Sequence, residues 1–355
     1  MRKVFAVLLI ALGLGLLGAS GFLLVRERAA LPAAATAAPV TTPEPTPAPT
    51  PSPTPTPSPT PIPLREPELT DYGIDPSFFE PASQQGTLRR DVGYATYDYV
   101  YGDEGAYGKC MQVYFPYGYD ENGKYDVLFL LHVRQAYEYY WLDWPHYYTL
   151  PDGSEFPVSA VNLLDNLIEK GLCKPMLVIA LNGYLTDTYR WEHNQAQVYP
   201  QFTEEFARDI LPFVAEHYAT WAEGTDRTAL SAAREHFGLL GASFGAFEIE
   251  LSVLGPNLDL AAWYCLSGGG DLTREELYPQ WSARGTLELP IRLLYLVEGE
   301  YDDIGPVEGS YLTLPYWAEK FTKDENLRFT RVLAAGHEER VWVNALYNAA
   351  QLFFR

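Results

Sequence analysis

The stretch Gly241-Ala242-Ser243-Phe244-Gly245 constrains this chain more than any other. The run His236-Phe237-Gly238-Leu239-Leu240 leads into it, and the helix-like Ala246-Phe247-Glu248-Ile249-Glu250-Leu251 leaves it. Glycines two places before and two after a serine suit a strand-to-helix turn so tight that side chains there would collide. Such a turn holds the serine hydroxyl out at the edge of a sheet. The positive end of the following helix favours an oxyanion beside it. Alone, the five-residue pattern is a weak signal, because glycine and serine meet in many ordinary turns. Acidic residues and a histidine further down the chain give it weight.

Taken in order, the rest of the chain alternates strands with helices. Lys109–Pro116 has a period of two, and the asparagine–glycine pair at 122–123 suits a hairpin turn after it. Val127–His132, Pro175–Leu181, Ala261–Leu266 and Ile291–Val297 are near-continuous apolar runs, the mark of strands buried on both faces, and Leu327–Leu333 reads as a further strand. Between them, helical spacing predicts helices over 158–170, 203–218, 314–321 and 340–354, with Pro212 expected to kink the second. Alternation of this kind implies an α/β fold, a mostly parallel central sheet with helices on both faces. Sites in such sheets lie beyond the carboxyl ends of the strands.

The N-terminal segment reads differently. Val4 to Val25 is an uncharged apolar run of 22 residues between Arg2-Lys3 and Arg26-Glu27-Arg28, long enough to cross a hydrocarbon core of ~30 Å as a helix. It is expected to be an uncleaved membrane anchor over residues 1–28, with a cleaved signal segment as the alternative; either way the remainder is exported. Residues 29–65 form a linker, in which every second residue from Pro43 to Pro63 is proline. Such a tract cannot build a core and extends as a polyproline-type spacer, reaching about 65 Å at ~3.1 Å per residue. Residues 66–355 are then one domain of ordinary size for an α/β enzyme.

That domain is strongly acidic. The first 65 residues hold five of the 25 basic and two of the 46 acidic side chains, which leaves 20 against 44 and a formal charge of −24. Such a surface repels nucleic acid and anionic lipid and suits a neutral substrate. Cys110, Cys173 and Cys265 are far apart in apolar surroundings; they read as buried thiols, with room for one disulfide and no metal site.

Two further residue types stand downstream of Ser243 in a telling order. Glu300, Asp302 and Asp303 follow one apolar strand, and His337 follows the last. A serine becomes a useful nucleophile when a neutral imidazole takes its proton, while a carboxylate fixes the imidazole tautomer and stabilises its charged form. Leu163–Gly171, the Ser243 turn, and Gly336-His337 followed by Val341–Leu346 resemble the esterase-D-like α/β-hydrolases. Among these the bacterial feruloyl esterases attached to xylanases match best, and the enterochelin esterases and mycolyltransferases less well. The resemblance covers roughly residues 85–355. It implies the α/β-hydrolase fold and cofactor-free ester hydrolysis through an acyl-serine, on an ester substrate of the kind linked to plant polysaccharide. Ser243 would be the nucleophile, His337 the base and Asp302 the acid, with Asp303 or Glu300 as substitutes. His132 matches a family histidine that is structural.

One departure from that family bears on function. A glycine-rich loop usually follows the strand-end histidine, whereas here Val133-Arg134-Gln135-Ala136 does. Acyl transfer needs two donors aimed at the tetrahedral oxygen. Phe244 N–H is expected to be one and the backbone at Val133 or Arg134 the other, although a turn without glycine is expected to be strained or reshaped. A loop dense in aromatic rings follows, and from it Tyr140, Trp141 and Trp144 are candidate substrate-binding residues. The rival readings are a catalytically idle carbohydrate- or envelope-binding module and an acyltransferase.

Overall fold

The computed structural model describes residues 63–143, 146–150, 152–191 and 195–355. The apolar N-terminal run, nearly all of the linker, Trp144 and His193 lie outside the described residues.

The strands are β1 (Thr87–Asp98), β2 (Asp103–Phe115), β3 (Asp126–Leu131), β4 (His146–Thr149), β5 (Glu155–Val158), β6 (Met176–Leu181), β7 (Phe237–Ala242), β8 (Trp263–Ser267), β9 (Leu293–Gly299) and β10 (Leu327–Val332). The helices are α1 (Ala160–Glu169), α2 (Asp187–Trp191), α3 (Gln195–Glu205), α4 (Leu211–His217), α5 (Arg227–Ala232), α6 (Phe244–Ile249), α7 (Arg274–Arg284), α8 (Glu308–Thr313) and α9 (Glu339–Leu352). Eight strands form one sheet in the order β1-β2-β6-β3-β7-β8-β9-β10, and β4 and β5 form a separate hairpin. From β6 through β10 all neighbours are parallel, while β2 joins β6, and β1 joins β2, antiparallel.

The apolar runs explain the centre. Every residue of β3, β6 and β7 is buried. Successive side chains of a strand point to opposite faces. Leu128 and Leu130 accordingly join α1 (Leu163, Leu164, Leu167) and α9 (Val341, Ala345, Leu346) on one face. Val127, Phe129 and Leu131 join Phe202, Phe206, Ile210 and Ile249 on the other. Each face thus has its own apolar core, and the sheet is covered twice.

Three features differ from the sequence expectation. The β1 strand reads as polar, TLRRDVGYATYD, because only one of its faces is covered and it pairs at the sheet's edge. The helix expected over 203–218 is α3, a π-helical turn over Phe206–Ile210 and α4. Widening the helix just ahead of Pro212 accommodates a residue that cannot donate to the preceding turn. The cysteines are free thiols, but Cys110 is only half-buried where the sequence implies burial of all three.

The parallel strands place their carboxyl ends along one edge. His132 follows β3, Ser243 follows β7, Asp302 follows β9 and His337 follows β10.

Candidate active site

The Ser243 turn is built on contacts that only glycine permits. Ser243 itself stands at φ 53°, ψ −114°, a region that costs a residue with a side chain of order 1–3 kcal/mol. A Cβ on Gly241 would lie 2.2 Å from the Gly245 carbonyl oxygen, and one on Gly245 would lie 2.6 Å from that of Leu131. The elbow is therefore pressed against both its own strand and the end of β3. The Ser243 N–H donates to Ser267 O at 2.7 Å, tying the turn to the end of β8.

Ser243 Oγ lies 2.8 Å from His337 Nε2, and His337 Nδ1 lies 2.9 and 3.1 Å from the two oxygens of Asp302. A carboxylate only accepts, so Nδ1 carries the proton and Nε2 is left to accept from the serine hydroxyl. The Asp302 side chain is fully buried. Its Oδ1 also accepts the backbone N–H groups of Ile304 and Gly305, each at 3.0 Å. The Trp342 and His337 rings meet nearly perpendicular, centroids 4.9 Å apart. The neighbouring acids are spent elsewhere: Glu300 accepts from Ala334 N–H at 2.7 Å, and Asp303 is exposed.

The loop after β3 solves the missing-glycine problem in its own way. Gln135, not a glycine, takes the left-handed conformation at φ 63°. Its N–H donates to the Tyr184 hydroxyl at 3.2 Å, and Ala136 N–H donates to Val133 O at 3.2 Å, closing the turn. His132 is buried and accepts from Gly183 N–H at its Nε2, so its Nδ1–H donates to Val133 O at 2.7 Å. Burial lowers its pKa to about 4, which keeps the ring neutral. With the Val133 carbonyl held twice, the trans peptide turns the Arg134 N–H the opposite way. Arg190 supports the far side: its Nε donates to Ala136 O, and its guanidinium lies 3.5 Å from the centre of the Tyr137 ring. The Arg134 side chain is exposed. Phe244 stacks on Tyr184, centroids 4.9 Å apart, so one tyrosine contacts both the Gln135 turn and the first residue of α6.

The aromatic loop is a correction to the sequence reading. Tyr140 and Trp141 are core residues, not an open binding face: they are 7% and 3% exposed, and the Trp141 indole N–H is spent on Leu131 O at 2.9 Å. Tyr184 and Arg190, which shape the loop, carry no motif in the sequence; only the position of Tyr184 just beyond a strand end hints at it.

No protein-family model matches the chain. It is 31% identical over 193 residues to endo-1,4-beta-xylanase Y of Acetivibrio thermocellus, covering 54% of this chain and 15% of that protein. It is 26% identical over 206 residues to an endo-1,4-beta-xylanase/feruloyl esterase of Xylanibacter ruminicola, covering 55% of this chain and 25% of that one. The chain thus spans a quarter or less of either relative's length. Among solved structures it resembles a mutant of the feruloyl esterase module from Clostridium thermocellum complexed with sinapinate. The TM-score is 0.63 at 21% identity, covering 82% of this chain and 96% of that one. With the sheet order above, this likeness establishes the α/β-hydrolase fold.

Proposed function

We propose that this chain is a serine esterase of the feruloyl esterase type, cleaving acyl or feruloyl esters on plant-type polysaccharide through an acyl-Ser243 intermediate. The hydrogen-bonded chain from Ser243 through His337 to Asp302 carries the reading. The xylanase and feruloyl esterase relatives supply the choice of ester.

In the proposed cycle Ser243 Oγ attacks the ester carbonyl while His337 Nε2 takes its proton. Asp302 holds the ring in the required tautomer and stabilises the imidazolium without itself taking the proton. The tetrahedral oxygen is received by Phe244 N–H, at the first turn of α6, and by Arg134 N–H. Collapse expels the alcohol, protonated by His337, and leaves Ser243 acylated. Water, deprotonated by the same histidine, then attacks the acyl group and releases the acid.

The reading extends to location. The uncharged run from Val4 to Val25 and the proline-rich spacer are proposed to tether the domain outside the cell membrane. Protease added to intact cells would cleave a domain displayed this way and would spare one held inside.

Hydrolysis of methyl ferulate and p-nitrophenyl acetate, measured beside Ser243→Ala, tests the chemistry. Turnover that vanishes in the variant supports the esterase. Equal rates for the two proteins would sink it and leave the binding-module reading.

A further inference from the structure

At the opposite edge of the sheet from Ser243, an open groove of about 980 Å³ runs across the amino ends of the parallel strands. Its walls come from residues that immediately precede or open those strands: Lys174 before β6, Asp126 at the start of β3, His236 before β7, Trp263 opening β8 and Arg292 before β9. At its rim stands Trp221, 39% exposed.

The exposed indole is held rather than loose. Asp126 is buried, and its Oδ1 accepts from His236 Nδ1 at 2.7 Å. The imidazole so oriented stacks on Trp221, with centroids 4.3 Å apart and planes within 14°. Trp263 is fixed by its indole N–H on Glu235 O at 2.8 Å. Glu235 in turn receives Arg292 at 2.7 Å on both oxygens. Lys124 Nζ also lies over the Trp221 ring, 5.4 Å from its centre, on an exposed side chain that a ligand can displace, and an indole already ordered lowers the cost of binding.

The charges in the groove decide the kind of ligand. Arg292 is paired with Glu235, His236 with Asp126 and Lys124 with Glu223. Lys174 donates to Phe354 O, and Arg355 to Leu172 O. Asp120 accepts from Asn122. Lys174 and Arg355 meet only neutral carbonyls, yet the four cations Lys124, Lys174, Arg292 and Arg355 are matched in number by the carboxylates of Asp120, Asp126, Glu223 and Glu235, so the groove has no net charge to draw an anion. Aromatic rings among paired donors and acceptors suit the C–H faces and hydroxyls of an uncharged sugar chain, and an open groove admits a polymer where a closed pocket would not.

We propose that this groove is a second, non-catalytic binding site for an uncharged polysaccharide chain, with Trp221 as its stacking platform. The site would anchor the glycan on one edge of the sheet while ester groups are presented to the other. The choice of glycan rests on the proposed action on polysaccharide esters; the groove itself does not.

Affinity electrophoresis of the full chain in gels containing xylan stripped of its esters tests the site, beside Ser243→Ala, Trp221→Ala and Trp221→Phe. Wild type and Ser243→Ala should be retarded alike. Trp221→Ala should bind about tenfold more weakly, while Trp221→Phe should recover part of the loss. Turnover of p-nitrophenyl acetate by Trp221→Ala at the wild-type rate would show that the variant is folded. Wild type that runs unretarded, or Trp221→Ala retarded as strongly as wild type, would overturn the proposal. Should Trp221→Ala fail to fold, Lys124→Ala and His236→Gln carry the same comparison, and retardation unchanged in both would overturn it equally. Retardation without ester turnover would count against the esterase reading alone, and turnover without retardation against the groove alone.

Discussion

The backbone N–H of Gln135, a residue held at φ 63°, donates to the hydroxyl of Tyr184 at 3.2 Å. The same tyrosine ring stacks on Phe244, directly after Ser243. One side chain from the end of β6 therefore touches the two segments proposed to supply the oxyanion donors. Replacing Tyr184 by Phe keeps the stack and removes the acceptor. The turn at Gln135 then loses its restraint, and the Arg134 N–H with it. We expect kcat on methyl ferulate to fall about tenfold or more, with KM changed little, since a full loss of one oxyanion donor costs ~10²–10³. Adding Gln135→Gly to that variant should return part of the rate, because glycine adopts positive φ without strain. An unchanged kcat in Tyr184→Phe would mean that the turn stands without the tyrosine.

This loop also marks where the sequence stops being legible. Ser243 and the acids after β9 could be placed because each follows an apolar run, since a buried parallel strand announces itself locally, and His337 because it follows the alternating strand β10. The Gln135 turn could not, since its support comes from Tyr184 and Arg190, about 50 residues away in the chain. Tyr140 and Trp141 misled for a related reason. An aromatic residue looks the same in a sequence whether it faces a ligand or fills a core, and only tertiary burial of both rings, with the Trp141 indole on Leu131 O, decides it. The β1 strand was missed because an edge strand with one covered face lacks a strong apolar signal.

Three carboxylates stand within four residues of one another after β9, and only Asp302 faces His337. Asp302→Asn should reduce kcat by about 10⁴, because the amide can no longer hold the Nδ1–H tautomer in place. Asp303→Asn should leave kcat within about twofold, as expected of an exposed surface change. Glu300→Gln only weakens the bond accepted from Ala334 N–H, by removing its charge, and should show itself slightly in thermal stability rather than in rate. Steady-state kinetics of the three variants side by side would check the order, and a large loss in Asp303→Asn would contradict the assignment.

Gly245 lies where β3 ends, and a methyl group there would meet the carbonyl oxygens of Leu131 and His132 at 2.6 and 2.7 Å. Backbone cannot yield as a side chain can. Gly245→Ala should therefore destabilise the domain by ~1–3 kcal/mol, the range for overpacking, and should displace the loop behind the oxyanion donors. Gly105→Ala, where a Cβ would meet nothing within 4 Å, is the matched control. Thermal melts of the pair should separate them by several degrees, and equal melting temperatures would show that the elbow can move away from β3.

Two buried titratable groups near the site should tilt stability with pH in opposite directions. His132 has its pKa lowered by burial from 6.5 to about 4. As pH falls from 6.5 towards 4 the unfolded chain takes up this proton and the folded one does not, so this residue's contribution is lost on acidification. Glu250 has its pKa raised by burial from 4.5 to about 7, with the Asp271 N–H opposing the shift. Between those values the folded protein holds a proton that the unfolded chain has released, so stability is lost as pH rises from 4.5 towards 7. Each displacement corresponds to roughly 3.4 kcal/mol at most, and the two act against each other between pH 4.5 and 6.5. Removing either should expose the other. Relative to wild type, His132→Asn should turn the melting temperature downward as pH rises across that window, and Glu250→Gln should turn it upward. Parallel profiles for wild type and both variants would mean that neither group keeps its displaced titration in the folded protein.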